Sequence, residues 1–239
     1  MVTEKELLKD VMALSPEEKS EITDQVKRFY EETCSMLENE KLQKGHITSR
    51  TVKSAMLRVG DQERYGLFQY LVSLYSMTTA AYKTALRMAW IYGKMYEEEA
   101  LLYFYWIGLG RMLNAKERKL YNSLPKTITI YRGCHKDEAT PVRKYRGKPY
   151  PNFHISWSLD RGAAEFFAFR GKHFSKEDGR VYSVRIRKSQ MLALFDERSE
   201  CEVIYPYSYD RNCKLYTLVT DKPTAYLESF TNKHHINII

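Results

Sequence analysis

The sequence predicts an α+β protein: an N-terminal all-helical module over residues 1–122, then a mainly antiparallel sheet domain over residues 123–239. Three observations carry this. Apolar residues recur at helical spacing through the first half. From Leu124-Pro125 onward the texture turns β-branched and alternating, beginning with Thr127-Ile128-Thr129-Ile130-Tyr131. Charge divides at the same place: residues 1–120 hold 18 Lys and Arg against 17 Asp and Glu, and residues 121–239 hold 20 against 13.

Ser15-Pro16-Glu17-Glu18 predicts the first long helix, with Ser as cap, Pro in the first helical position and Glu18 reaching back. Ile22, Val26, Phe29, Tyr30, Cys34, Met36 and Leu37 continue the helical spacing, and Gly45 ends it. Val52, Ala55, Met56 and Val59 predict a short helix closed by Gly60. From Leu67 to Leu113, interrupted by Gly93, Gly108 and Gly110, the chain predicts two or three helices buried on broad faces. Its aromatics (Tyr70, Tyr75, Tyr82, Trp90, Tyr92, Tyr96, Tyr103, Phe104, Tyr105, Trp106) are read as core rather than as a base-stacking surface, because aromatics gain most from burial. Gly108-Leu109-Gly110 follows a helical pattern, not a strand, so it is no dinucleotide-binding turn.

The module boundary is expected between Leu120 and Pro125. After Thr127–Tyr131, strands are predicted at Ile155 to Ser158, Val181 to Ile186, Met191 to Phe195, Glu202 to Tyr205 and Leu215 to Val219. A single helical patch, Arg161 to Phe169, lies among them. Pro141 to Pro151 and Gly171 to Gly179 read as basic loops.

Composition narrows the function classes. At 44% hydrophobic and 28% charged residues, the chain of 239 residues suits an ordinary folded protein. No apolar run approaches the roughly 18 residues of a membrane span. The N-terminus lacks a basic start followed by an apolar block, so a cytoplasmic location with reduced thiols is expected. The four Cys and six His have no metal-ligand spacing, and no zinc site is expected. The basic second half favours polyanionic ligands.

Three short segments carry chemistry. Tyr131-Arg132-Gly133 closes the first strand with a guanidinium beside a residue that lets a backbone or ligand approach. In Ile155-Ser156-Trp157-Ser158-Leu159-Asp160, the two hydroxyls share one strand face, where they suit a polar ligand or an acidic side chain; Ser158 or Asp160 equally suits the cap of the following helix. In Glu200-Cys201-Glu202-Val203-Ile204-Tyr205, two carboxylates share one face at the head of an apolar strand. Alone, each is commonplace: a surface Arg at a turn, a cap, a solvated strand edge.

Taken together and in this order, they resemble the Arg-Ser-Glu class of mono-ADP-ribosyltransferases, which includes bacterial toxins and vertebrate ecto-enzymes. The resemblance covers roughly Thr127 to Val219. It extends to Phe167 and Arg170, at the spacing where clostridial binary-toxin members carry an aromatic and an Arg. Trp157 stands where the family usually has Thr, the loop after Arg132 is longer, and the resemblance says little about the helical half. The resemblance implies a two-sheet ADP-ribosyltransferase-like domain that uses NAD as co-substrate and needs no metal. It implies Glu202 as the catalytic carboxylate, Glu200 orienting or deprotonating the acceptor, and Ser156 positioning Glu202. It further implies Arg132 with Gly133, Ser158, Phe167 and Arg170 around NAD, and Phe195 or Arg198 meeting the acceptor.

Glu-x-Glu members of the class modify protein arginine, whereas related enzymes modify nucleic-acid bases. Between Arg132 and Lys188 stand 14 Lys and Arg against 6 Asp and Glu, more cations than NAD needs, which leans the acceptor towards RNA or DNA. An NAD glycohydrolase and a binding module without turnover are the other readings. An intracellular toxin, a phage-related modifier or a defence effector is the setting implied by analogy. The helical half is then an acceptor platform, a docking surface for a neutralising antitoxin or other partner protein, or packing for the sheet.

Overall fold

A computed structural model describes residues 31–41, 43–93, 95–139, 141–145, 148–151, 154–170, 178–197, 200–207 and 216–234. The proposed start at Ser15-Pro16 lies outside these. The chain forms two compact units, Met1–Met95 and Tyr96–Ile239.

The first unit is helical. Residues 31–41 lie in the first described helix, which stops at Gly45, whose φ of 70° suits a residue without a side chain. Three helices follow: α1 (Ser49–Arg58), α2 (Arg64–Leu74) and α3 (Thr79–Tyr92). Helix α1 buries Val52, Ala55 and Met56, the stripe read from spacing. Helix α3 starts where the Thr78 side chain accepts from Ala81 N, and buries Ala81, Ala85 and Ala89 beside Leu86 and Ile91. Small residues on that face let neighbouring helices approach closely.

The second unit opens with helices α4 (Glu97–Ile107), α5 (Leu109–Met112) and α6 (Ala115–Ser123). Gly108, at φ 74°, separates the first two. Asn114 and Glu117 form a reciprocal capping box at the head of α6. Strands and two further helices complete the unit: β1 (Thr127–His135), β2 (Pro141–Tyr145), β3 (Lys148–Pro151), β4 (Ser156–Ser158), α7 (Arg161–Phe169), β5 (Gly179–Arg187), β6 (Ala193–Phe195), β7 (Glu202–Ile204), β8 (Thr217–Thr220) and α8 (Ala225–His234). Six strands form one antiparallel sheet in the order β6-β7-β4-β1-β5-β8, and β2 pairs with β3 apart from it.

The sheet buries both faces. Ile128, Ile130, Val184 and Ile186 join Trp157, Leu194 and Val203 in the larger cluster, against which Leu113, Leu120 and Tyr121 of the α5–α6 region pack. On the other face Val181 meets Ala164, Ala168 and Phe169 of α7 and Leu227 of α8. This explains why the compact unit begins at Tyr96 rather than at residue 123. The break at 122/123 marks the change from helix to strand, but the helices before it are part of the sheet's core.

Three other expectations change. The segment from Pro141 to Pro151, read as a loop, is a strand pair. Helix α8 is a second helix in this half; its apolar signal was thin, since only Leu227, Phe230 and Thr231 are buried. The aromatics read as core divide: Tyr75, Tyr82 and Phe104 are buried, but Tyr70, Tyr92, Tyr96, Tyr105 and Trp106 are exposed. Among the described residues no helix is long and apolar enough to cross a membrane.

Candidate functional site

The three chemistry-bearing segments lie on adjacent strands in the middle of the sheet. Strand β4 runs between β1 and β7, pairing Ser158 with Tyr131 on one side and with Glu202 on the other. That juxtaposition opens a cavity of about 240 Å³, with Arg132, Ser156, Phe167, Arg170, Glu200 and Glu202 in its wall.

Ser156 donates its hydroxyl to Glu202 Oε1 at 2.6 Å. Glu202 is buried at 7% exposure, so its carboxylate works in a poorly solvated setting where such a bond fixes its orientation. Glu200 reaches the same wall by a different route from the one expected. Cys201 between the carboxylates has φ 44°, and the strand begins only at Glu202. The pair is therefore not a regular alternation: a left-handed kink, costly for a residue with a side chain, turns Glu200 towards the cavity. Ser158 holds the kink by donating to Glu200 O at 2.6 Å, and Leu159 N donates to Cys201 O at 3.0 Å. Cys201 Sγ also meets Asp196 Oδ1 at 3.3 Å, and Lys116 Nζ lies 2.6 Å from the other oxygen of Asp196. Despite its burial, Asp196 is held below the usual carboxylate range by Lys116 and Cys201.

Arg132 stands partly buried in the wall. Its Nη1 donates to Ser156 O at 2.8 Å, while Nε and Nη2 donate to Glu138 Oε2 at 3.2 and 2.9 Å. Burial works against the guanidinium's charge, but Glu138 outweighs it and leaves the pKa above the ordinary value. Phe167 is half-buried, with the Arg170 guanidinium 4.8 Å from its ring centroid.

Helix α7 presents these two residues. Asp160 caps it, accepting from Gly162 N at 2.7 Å and Ala163 N at 3.4 Å. The fully buried Glu165 accepts from Arg161 Nε and Thr224 N, both at 2.9 Å, which ties α7 to the start of α8.

The other four assigned residues have structural roles in the fold or lie outside the described residues. Ser158 lines the cavity and also acts as a strut: its hydroxyl donates to Glu200 O and accepts from Asp160 N at 2.8 Å. Gly133 lines the cavity and also makes room for a helix, since a Cβ there would lie 1.7 Å from Ala164 O. Phe195 is buried at 3% exposure with its ring against Phe104, which places it in the core. Arg198 lies outside the described residues. Glu138 was missed. It belongs to a 3-10 turn, Lys136–Ala139, and no spacing in the sequence shows that this turn folds back onto Arg132.

Both thiols near the site are inert at neutral pH, because burial first and nearby carboxylates second push Cys134 and Cys201 up to about 12. Among the described residues no cluster of three or more His, Cys, Asp or Glu is placed to hold a metal.

One histidine–carboxylate pair stands beside the site. His154 Nδ1 lies 2.8 Å from Glu97 Oε1, and Glu97 Oε2 accepts from Ile155 N at 3.3 Å, just ahead of Ser156. The Glu97 hydrogen bond raises the imidazole above its ordinary 6.5, against the opposing effects of burial and Arg132. A value raised on folding adds stability that is complete below pH 6.5 and is lost as pH rises through the folded-state value. Thermal unfolding midpoints are therefore expected to fall modestly as pH rises past neutrality, modestly because the half-exposed imidazole is screened by solvent. The His154→Gln variant should lose that slope; an unchanged slope would assign it to other groups.

No family model matches the chain, and no curated protein or solved structure matches it.

Proposed function

We propose that this chain is an NAD-dependent mono-ADP-ribosyltransferase, a glycosyltransferase that moves ADP-ribose from NAD to a macromolecular acceptor and releases nicotinamide. The observation that carries the reading is the Ser156 hydroxyl on the Glu202 carboxylate, 2.6 Å apart, in a cavity that Arg132, Phe167 and Arg170 also line. On this reading the antiparallel sheet and its hairpin are the two-sheet core of that enzyme class, and the helices ahead of it form an N-terminal module.

The chemistry fits these residues. The bond between the nicotinamide nitrogen and the anomeric carbon breaks, the nitrogen keeps both electrons, and the pyridine leaves neutral without a proton donor. Positive charge develops on the ribose, as in glycoside cleavage, and a fixed carboxylate stabilises it. Glu202, oriented by Ser156, is that group. Glu200 takes the proton of the acceptor as the new bond to the anomeric carbon forms. Arg132 and Arg170 hold the diphosphate through charge-assisted hydrogen bonds, and Phe167 stacks on nicotinamide.

The acceptor favoured is a nucleic-acid base. Strand β2 follows the Lys136–Ala139 turn closely, and the hairpin register sets Arg143 opposite Tyr150 and Tyr145 opposite Lys148. Between Arg132 and Lys188, 14 Lys and Arg stand against 6 Asp and Glu, a surplus of cations that suits a phosphate backbone. Protein arginine is the second reading, because a paired carboxylate suits an acceptor guanidinium. Water as acceptor would make the protein an NAD glycohydrolase, and an unused site would make it a binding module. An intracellular toxin or effector role follows by analogy alone.

The test is incubation of the full chain with adenine-labelled NAD and cell lysate. Nicotinamide should be released, label should enter a nuclease-sensitive product, and acceptor labelling should fall steeply with salt. Protease-sensitive label would favour arginine, and release without labelled macromolecule would favour water. No NAD consumption would overturn the enzyme reading.

A further inference from the structure

One carboxylate in the cavity is left unused by this chemistry. Glu138 takes the Nε–Nη2 edge of Arg132 through a single oxygen, at 3.2 and 2.9 Å. With Nη1 on Ser156 O, three of the guanidinium's five N–H groups are engaged within the protein. We propose that Glu138 is an internal competitor for the substrate diphosphate: it holds the guanidinium edge a phosphate oxygen would use, and it selects for ligands charged enough to displace it. The proposal rests on the NAD reading of this cavity.

Three observations support displacement rather than a fixed strut. First, the cavity wall carries Glu138, Glu200 and Glu202 against Arg132 and Arg170, so an anionic ligand meets an excess of negative charge unless one carboxylate gives way. Second, Glu138 sits outside the sheet. The Lys136–Ala139 turn is anchored at its start, where Lys136 N donates to Asp178 O at 2.9 Å and Lys136 Nζ also meets Asp178. Among the described residues Glu138 itself has hydrogen bonds and an ion pair only with Arg132, so its release breaks no other described hydrogen bond or ion pair. Third, the pair is largely withdrawn from water, with side-chain exposures of 16% for Arg132 and 19% for Glu138. A solvated pair would compete weakly; this one presents a real barrier. A diphosphate replaces the lost carboxylate with its own charge. A nucleoside without phosphate cannot, and so has no means of opening the site.

The test is calorimetric binding of ADP, NAD and nicotinamide riboside to the full chain and to its Glu138→Gln and Glu138→Ala variants. Gln keeps an oxygen acceptor at the same place and removes only the charge. Both variants should bind ADP and NAD about fivefold to tenfold tighter, the gain expected if Glu138 holds Arg132 for most of the time. Riboside binding should not change. Nucleotide affinity that is unchanged or weaker in Glu138→Gln would overturn the competitor and leave the NAD reading standing. Failure of ADP and NAD to bind any of the three proteins would overturn both.

Discussion

Replacing Glu202 with Gln is expected to cut nicotinamide release from NAD roughly 100- to 1,000-fold, the loss seen when one preorganised transition-state contact is removed. Folding should survive. The amide has the same shape, and its carbonyl can accept the Ser156 hydroxyl that now lies 2.6 Å from Oε1. What disappears is the negative charge beside a ribose that becomes cationic as the bond to nicotinamide breaks. Burial makes that charge effective, because little water competes with it. The measurement is a turnover assay with saturating NAD, paired with thermal unfolding. Near-normal turnover in a folded variant would remove Glu202 from the mechanism, and with it the main reason for reading this cavity as an ADP-ribosyltransferase site.

The second large effect is on folding. Gly133→Ala should lower stability by an amount at or above the upper end of the roughly 1–3 kcal/mol typical of overpacking, and the unfolding midpoint by about 5–10 °C or more. The added Cβ would lie 1.7 Å from Ala164 O and 3.0 Å from Ala168 N, backbone atoms that no rotamer change can move. Helix α7 has no room to retreat. Asp160 caps it, Glu165 ties it to Thr224, and a Cβ at Gly162 would already lie 2.6 Å from Phe230 Cβ and Tyr226 O. Phe167 and Arg170 ride on that helix, so catalysis should fail with the packing. Gly66→Ala is the control, since nothing lies within 4 Å of a Cβ there and an alanine inside α2 should be neutral or slightly stabilising. Equal midpoints for the two variants would show that the close approach does not limit stability.

These expectations draw unequally on what local sequence reveals. Helix α7 runs from Arg161 to Phe169, the patch read from its spacing, because its cap, its small residues and its apolar stripe are neighbours in the chain. The alternation at Thr127–Tyr131 likewise marked a strand, and in β1 Ile128 and Ile130 lie on the core side. Phe195 misled for the opposite reason: it stands next to an acidic turn in sequence, yet its strand packs against Phe104 of α4, more than ninety residues earlier. The exposed aromatics show the limit of composition, since helical spacing locates a stripe but not whether another element covers it.

By itself the sequence determined most of the segments that become helix or strand (though not β2, β3 or α8), where the texture changes, and that an Arg, a Ser and a Glu each sit on a strand. Those properties follow from side-chain shape and period over a few residues. Only the tertiary structure decided that β4 lies between β1 and β7, that a left-handed Cys201 turns Glu200 inward, that α4–α6 share the sheet's core, and that Glu138 folds back onto Arg132. Each depends on contacts between residues distant in sequence, where burial and charge pairing outweigh local preference.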